Sequence, residues 1–168
     1  MLLYHGSNVE VIEPDLSKSY EFLDFGIGFY LTTNKDQAIL FSHKVVLREM
    51  KKRKPQGVAT VNIYEFEIEK SEDLKILQFD YPSGEWLDYV FKNRLVVDDA
   101  NEYDIVIGPV ANDDVYNVID QYENGIFTRE IAINALKIRK LYDQYAFKSK
   151  KALRKLRFIS SQCYKEDK

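Results

Sequence analysis

Val58-Ala59-Thr60-Val61-Asn62-Ile63-Tyr64-Glu65-Phe66-Glu67-Ile68-Glu69 is the most strand-like stretch of this chain, and the fold class is read from its neighbours on either side. Tyr64, Phe66 and Ile68 alternate with Glu65, Glu67 and Glu69, the period of two expected of a strand with one buried and one wet face. Upstream, Asn34 with Gln37 three residues on resembles a capping box. The helix it opens runs to about Arg53, with Phe41, Val45 and Arg48 down one stripe, and ends in Lys51-Lys52-Arg53-Lys54 before Pro55 and Gly57. Cations suit the negative end of a helix dipole, so this basic run reads as a solvated helix end. Further upstream, Phe29 to Thr33 is a short strand, residues 13–28 form a loop rich in Pro, Asp and Gly, and Leu2 to Gly6 is a first strand.

Downstream, Ser83 caps a helix carrying Trp86, Tyr89 and Val90, and Tyr103 to Ile107 has the apolar density of a buried strand closed by Gly108-Pro109. Asn112 caps a helix with Asp113 and Asp114 in its first turn and Gly125 past its end. Thr128 starts another helix, with Ile131, Ala135 and Leu136 in register. Tyr142 to Phe147 is a strand, Ser149 caps a short helix, and Arg157 to Ser160 is a final strand before a frayed tail. Strands precede, separate and follow short helices without regular βαβ alternation, which makes the expected class α+β, with one domain over residues 1–160 and a tail at 161–168.

Composition narrows the function. Hydrophobic residues make up 45% and charged residues 30% of the 168, ordinary for a globular protein. The net charge of −3 argues against a nucleic-acid binder driven by bulk charge. A single cysteine, Cys163, excludes an internal disulfide, and with only His5 and His43 besides, no zinc site is expected. No apolar run reaches the roughly 20 residues that span a bilayer, and Met1-Leu2-Leu3-Tyr4-His5-Gly6 lacks the basic start of a signal peptide. The expectation is a cytoplasmic, metal-free protein with no membrane partner. Gly26-Ile27-Gly28 lacks the third glycine of a dinucleotide-binding turn, and no Gly-x-Ser-x-Gly elbow exists.

Three stretches stand out together: His5-Gly6-Ser7 closing the first strand, Gly28-Phe29-Tyr30-Leu31-Thr32 about twenty-five residues later, and Asp143-Gln144-Tyr145 opening a late strand. Taken singly, His5 reads as a satisfied strand-end histidine and Tyr30 as core. In this order, with their flanking glycines, they resemble the ADP-ribosyltransferase superfamily, the His-Tyr-Glu type shared by diphtheria toxin and poly(ADP-ribose) polymerases. Glu85-Trp86-Leu87-Asp88 and Asp104 to Ala111 also resemble an uncharacterised bacterial domain-of-unknown-function family, a likeness over nearly the whole chain.

The resemblance implies a split β-sheet core with flanking short helices and NAD+ as co-substrate. It implies catalytic roles for His5, Tyr30 and Gln144, and NAD+ binding by His5, Gly6, Ser7, Tyr30 and Phe41. NAD+ loses nicotinamide, and the ribose carbon passes through an oxocarbenium-like state. Gly6, without a Cβ, admits close approach of the carboxamide to its N–H and C=O. His5 offers a ring nitrogen donor to a ribose hydroxyl, and Ser7 a small hydroxyl beside the carboxamide. Tyr30 stacks on the ring for about 1 kcal/mol beyond its burial, and Phe41 is the second face of that sandwich.

At the third position the chain departs from the pattern. Toxin and polymerase members carry a glutamate there; this chain has Gln144, with Asp143 one residue before. An amide bonds a hydroxyl but supplies no negative charge, so mono-transfer rather than polymer elongation is expected. Asp143 is the alternative, since neighbouring side chains on a strand face opposite ways, and Glu130 is a less apt substitute. The acceptor is an unknown macromolecule, protein or nucleic acid. Lys148, Lys150, Lys151, Arg154, Lys155 and Arg157 put six cations in ten residues, read as a solvated face with phosphate binding as the functional alternative. Two further readings stand beside the enzyme: a non-catalytic NAD or nucleotide-binding module, and one member of a toxin–antitoxin type pair with an antitoxin partner.

Overall fold

A computed structural model describes residues 1–52, 57–95, 102–110, 113–137 and 142–165. Its architecture is mixed α/β, with two sheets and, among the described residues, five α-helices. The strands are β1 (Leu2–Ser7), β2 (Phe29–Leu31), β3 (Ala59–Glu65), β4 (Ile76–Gln78), β5 (Ile105–Pro109), β6 (Asp143–Phe147) and β7 (Arg157–Tyr164). The helices are α1 (Lys35–Lys51), α2 (Gly84–Leu95), α3 (Asp113–Glu123), α4 (Arg129–Lys137) and α5 (Lys150–Leu153). A three-stranded antiparallel sheet has the order β1-β3-β7 and a four-stranded sheet the order β2-β6-β5-β4, in which β4 and β5 run parallel. Paired backbone hydrogen bonds between Tyr4 and Thr32, 2.8 and 3.0 Å, tie one sheet to the other.

The stretch from Val58 to Glu69 is a strand only as far as Glu65. β3 pairs Glu65 with Leu2 of β1, Met1 carries the pairing one residue further by bonding the Phe66 carbonyl and N–H at 2.8 and 3.0 Å, and Ile68–Lys70 form a single 3₁₀ turn. Nor does β3 have a wet face. It is the central strand of its sheet, and Ala59 to Tyr64 are all buried, because α1 covers one face and the other looks into the space between the sheets. The polar Asn62 is fully buried yet satisfied: Oδ1 accepts from Val11 N–H at 2.8 Å and Nδ2 donates to the Val9 carbonyl at 3.2 Å. Phe66, just past the strand, packs edge-on to Phe147 with ring centres 5.1 Å apart.

Two apolar cores flank the four-stranded sheet. Phe29, Leu31, Ile105, Ile107 and Phe147 face Leu3, Tyr64 and Phe66 of the other sheet. On the opposite face, Val106 and Ala146 pack with Trp86, Leu87 and Val90 of α2, Val118 and Ile119 of α3 and Ala132 and Leu136 of α4. Trp86 is core, as its helical spacing with Val90 suggested. The caps at Asn34, Ser83 and Ser149 form, each side chain accepting a backbone N–H three residues on at 2.9, 3.1 and 3.0 Å. Asn112 lies outside the described residues. The expected tail is strand as far as Tyr164, because β7 pairs with β3 from Arg157 to Tyr164 with one register shift.

The stripe expected on α1 is rotated. The helix buries Ala38 and Ser42 against the sheet, while Phe41 and Arg48 are exposed. The cause is Gly6, where an added Cβ would lie 2.2 Å from the Ala38 carbonyl oxygen and 2.9 Å from Ser42 N. The helix backbone touches the strand directly, so only small residues fit that seam.

Candidate functional site

The Tyr4–Thr32 bridge sets the geometry around His5 and Gly6. Along an antiparallel strand, backbone groups alternate sides. Tyr4 turns its N–H and C=O away from β3 to reach Thr32, so Gly6, two residues on, turns its own N–H and C=O the same way. Among the described residues no strand pairs with Gly6 on that side. Its Cα is packed on α1, which leaves a donor and an acceptor side by side at a strand edge.

Leu3, His5 and Ser7 face the space between the sheets by strand alternation. The His5 ring lies against Phe29, with centroids 4.2 Å apart, and Nδ1 is 2.8 Å from the Tyr30 carbonyl oxygen. A carbonyl only accepts, so Nδ1 carries the proton and Nε2 is left as an acceptor. Burial lowers the His5 pKa to about 4, against the opposing pull of the Tyr30 carbonyl, so the ring is neutral at pH 7. The donor expected from His5 is therefore spent inside the protein, and what it presents outward is a lone pair. Ser7 is buried, and its hydroxyl accepts from Val9 N–H at 3.4 Å.

Tyr30 meets His5 through its backbone. Its ring lies on the other face of β2, packed against the helical core, and its hydroxyl donates to the Gly26 carbonyl at 2.6 Å and accepts from Phe25 N–H at 3.1 Å. It thereby ties down the loop that leads into its own strand. That loop has other holds: Asp24 pairs with Arg94 at 2.9 Å, and the buried Lys148 ammonium donates to the Phe25 carbonyl. Gly26 adopts φ +72°, and a Cβ there would lie 2.6 Å from Asn93 Oδ1.

Gln144 sits on the same face of the four-stranded sheet as Tyr30, since Tyr30 pairs with Ala146 and Gln144 is two residues along. It is 7% exposed, and its Nε2 is buried without a hydrogen-bond partner. Asp143 faces the other way and is occupied: Oδ1 accepts from Thr32 Oγ1 and Thr33 N–H, both at 3.0 Å, and Oδ2 from Thr33 Oγ1 at 2.6 Å. Nothing in the sequence marked Asp143 as the clamp between β6 and the start of α1. Glu130 is exposed on the first turn of α4.

The structure thus brings His5 to Tyr30 and sets Tyr30 and Gln144 on one face, with the His5 ring on the other. Gly6 packs on α1, the helix that carries Phe41, and Phe41 is 48% exposed. Of the six C-terminal cations, Lys148 is buried in the loop anchor, Lys151 and Lys155 pair with Asp73 at 3.4 and 2.8 Å, and Arg157 pairs with Glu65. Most of that run is spent on intramolecular contacts.

Among the described residues no helix is long and apolar enough to cross a membrane. No curated protein and no solved structure matches the chain. Residues 1–158 match the family described as "Protein of unknown function (DUF3990)", and the chain belongs to that family.

Proposed function

We propose that the chain is a mono-ADP-ribosyltransferase of the His-Tyr-Glu type, taking NAD+ as co-substrate, with its two bridged sheets as the split core of that fold. The observation that carries the reading is the Gly6 strand edge, whose N–H and C=O stand together, unclaimed by any strand among the described residues and one residue from the His5 ring. A primary carboxamide is a donor and an acceptor in one plane, and that edge matches both. His5 Nε2 accepts from a ribose hydroxyl, and the Nδ1 bond to Tyr30 fixes the ring's tautomer and angle. Phe41 offers an aromatic face from α1, and Ser7 a hydroxyl beside Gly6. Tyr30 holds His5 through its carbonyl and shapes the 25–28 loop through its hydroxyl. Gln144, whose buried and unspent amide lies on the sheet face opposite the His5 ring, takes the ribose role from the resemblance rather than from a cleft shared with His5. NAD+ supplies the ADP-ribose, and nicotinamide departs with the electron pair of the broken glycosidic bond.

The test is chromatographic measurement of nicotinamide released from NAD+, with calorimetric titration of NAD+ alongside. Release is expected, falling on the order of 10²-fold in Gln144→Ala while binding is kept, as for loss of one preorganised hydrogen-bond partner. Absence of both binding and release overturns the proposal. The neutral amide at position 144 favours one second reading, a module that holds NAD+ without cleaving it. Binding without release selects that reading.

A further inference from the structure

Beyond the carboxyl ends of the parallel strands β4 and β5 lies an open cavity of about 600 Å³, the size and the place at which open α/β sheets take small ligands. Ile107, Gly108 and Pro109 of β5 run along its middle. The 78–82 segment after β4 makes one wall, and the start of β6 makes the other, about 10 Å away at two strand spacings. Four lining side chains are aromatic, Phe79, Tyr81, Tyr142 and Tyr145, and of these Tyr81 and Tyr142 are 61% and 37% exposed. Two more carry carboxylates, Asp80 and Asp143, and among the described residues no lysine or arginine lines the cavity.

Asp80 differs from the acidic groups that the fold consumes. Asp24, Glu65, Asp73 and Asp88 each pair with a lysine or arginine. Asp80 accepts one hydrogen bond, from Gln78 Nε2 at 2.7 Å, and pairs with no cation among the described residues. Nor is it spent on the helix that follows, since Ser83 supplies the α2 cap. Across the cavity, burial and then the Asp143 charge raise the Tyr145 pKa above its ordinary 10, so that wall is negative in potential as well.

We propose that Asp80, Tyr81 and Tyr142 make this cavity a binding site for a guanidinium group, the head of an arginine side chain or of a free alkylguanidine. The carboxylate takes the charge, and the wet aromatic faces take a flat, weakly hydrated ion that an ammonium matches less well. A neutral flat ring would stack as well but leave Asp80 without a counter-charge. A phosphate or carboxylate ligand would meet like charge from both walls. A metal ion fits less well, because among the described residues no three metal-ligating side chains come together. The site uses neither the Gly6 edge nor His5, so it stands apart from the NAD+ reading.

The test is an amide NMR titration of the full chain, without NAD+, against three probes: the capped peptide Gly-Arg-Gly, its citrulline analogue of the same shape without the charge, and agmatine. The Gly108 and Tyr145 amide signals should shift saturably with the arginine peptide, at a Kd about tenfold or more below that of the citrulline peptide. A lower Kd for the peptide than for agmatine assigns the site to a protein side chain, and the reverse order assigns it to a free alkylguanidine. Asp80→Asn should remove the preference for arginine over citrulline, and Tyr81→Ala should weaken binding several-fold. Both side chains are exposed, so the melting temperature should be unchanged in each variant. Equal affinity for the arginine and citrulline peptides makes this a site for neutral ligands and overturns the proposal. So does the absence of any shift with all three probes, or a preference for arginine that survives Asp80→Asn.

Discussion

Tyr30 carries two tasks that a reading of its residue type alone does not separate. Stacking needs only its ring, and on that view Tyr30→Phe is neutral. The hydroxyl, however, bonds both Phe25 N–H and the Gly26 carbonyl. Tyr30→Phe should therefore lower the unfolding free energy by roughly 1–2 kcal/mol, read from urea midpoints, because two partly buried backbone groups lose their partner. An unchanged midpoint would show that the loop does not depend on this anchor. Gln144 is the opposite case. Its buried Nε2 has no partner, and such a group costs stability in the resting protein. Gln144→Met, similar in shape but apolar, should raise stability by about 1 kcal/mol or more while nicotinamide release falls, the trade expected where a polar group is kept for a ligand rather than for the fold. If Gln144→Met is less stable, the amide has a structural partner and its functional assignment fails. Why the neighbouring Asp143 is not the free group is legible only in three dimensions: Thr32 and Thr33 consume its carboxylate.

At the scale of elements, the seam between β1 and α1 places the candidate site. Gly6 lets the α1 backbone rest on the strand, which is why Ala38 and Ser42 rather than Phe41 form the buried line. Gly6→Ala should cost at least ~2 kcal/mol in thermal or chemical unfolding, since the new methyl would meet a backbone oxygen that can move only with the whole helix. A neutral effect would mean that α1 slides freely on its sheet. Helix starts were legible in the sequence because a cap acts over three residues, as at Asn34, Ser83 and Ser149. The extent of β3 was not. The alternation from Tyr64 to Glu69 continues past Glu65, but the last backbone pairing is Met1 with Phe66, beyond which Ile68–Lys70 close into a 3₁₀ turn. The three residues of β4, Ile76–Gln78, are too few to show a period, and they become strand because β5 lies parallel beside them.

For the molecule as a whole, the half-buried His5 links pH to stability. Its pKa falls from the ordinary 6.5 to about 4 in the folded protein, so the unfolded chain binds the extra proton between those values. The His5 contribution is fully present above about pH 6.5 and is lost as pH falls toward 4, by roughly 1–3 kcal/mol. Urea midpoints from pH 7 to 4 should fall more steeply in the wild type than in His5→Gln, and parallel curves would place His5 in a solvated setting. The sequence by itself determined the mixed helix and strand content, most helix starts and the core role of Trp86, because these depend on local period and capping. Only the tertiary structure decided that β3 is buried on both faces, that six clustered cations are mostly spent on partners far along the chain, and that His5 presents an acceptor rather than a donor. Each of those depends on which distant backbone or side chain arrives at the same place: α1 over β3, Asp73 and Glu65 beside the lysines and arginine, and the Tyr30 carbonyl at Nδ1 of His5.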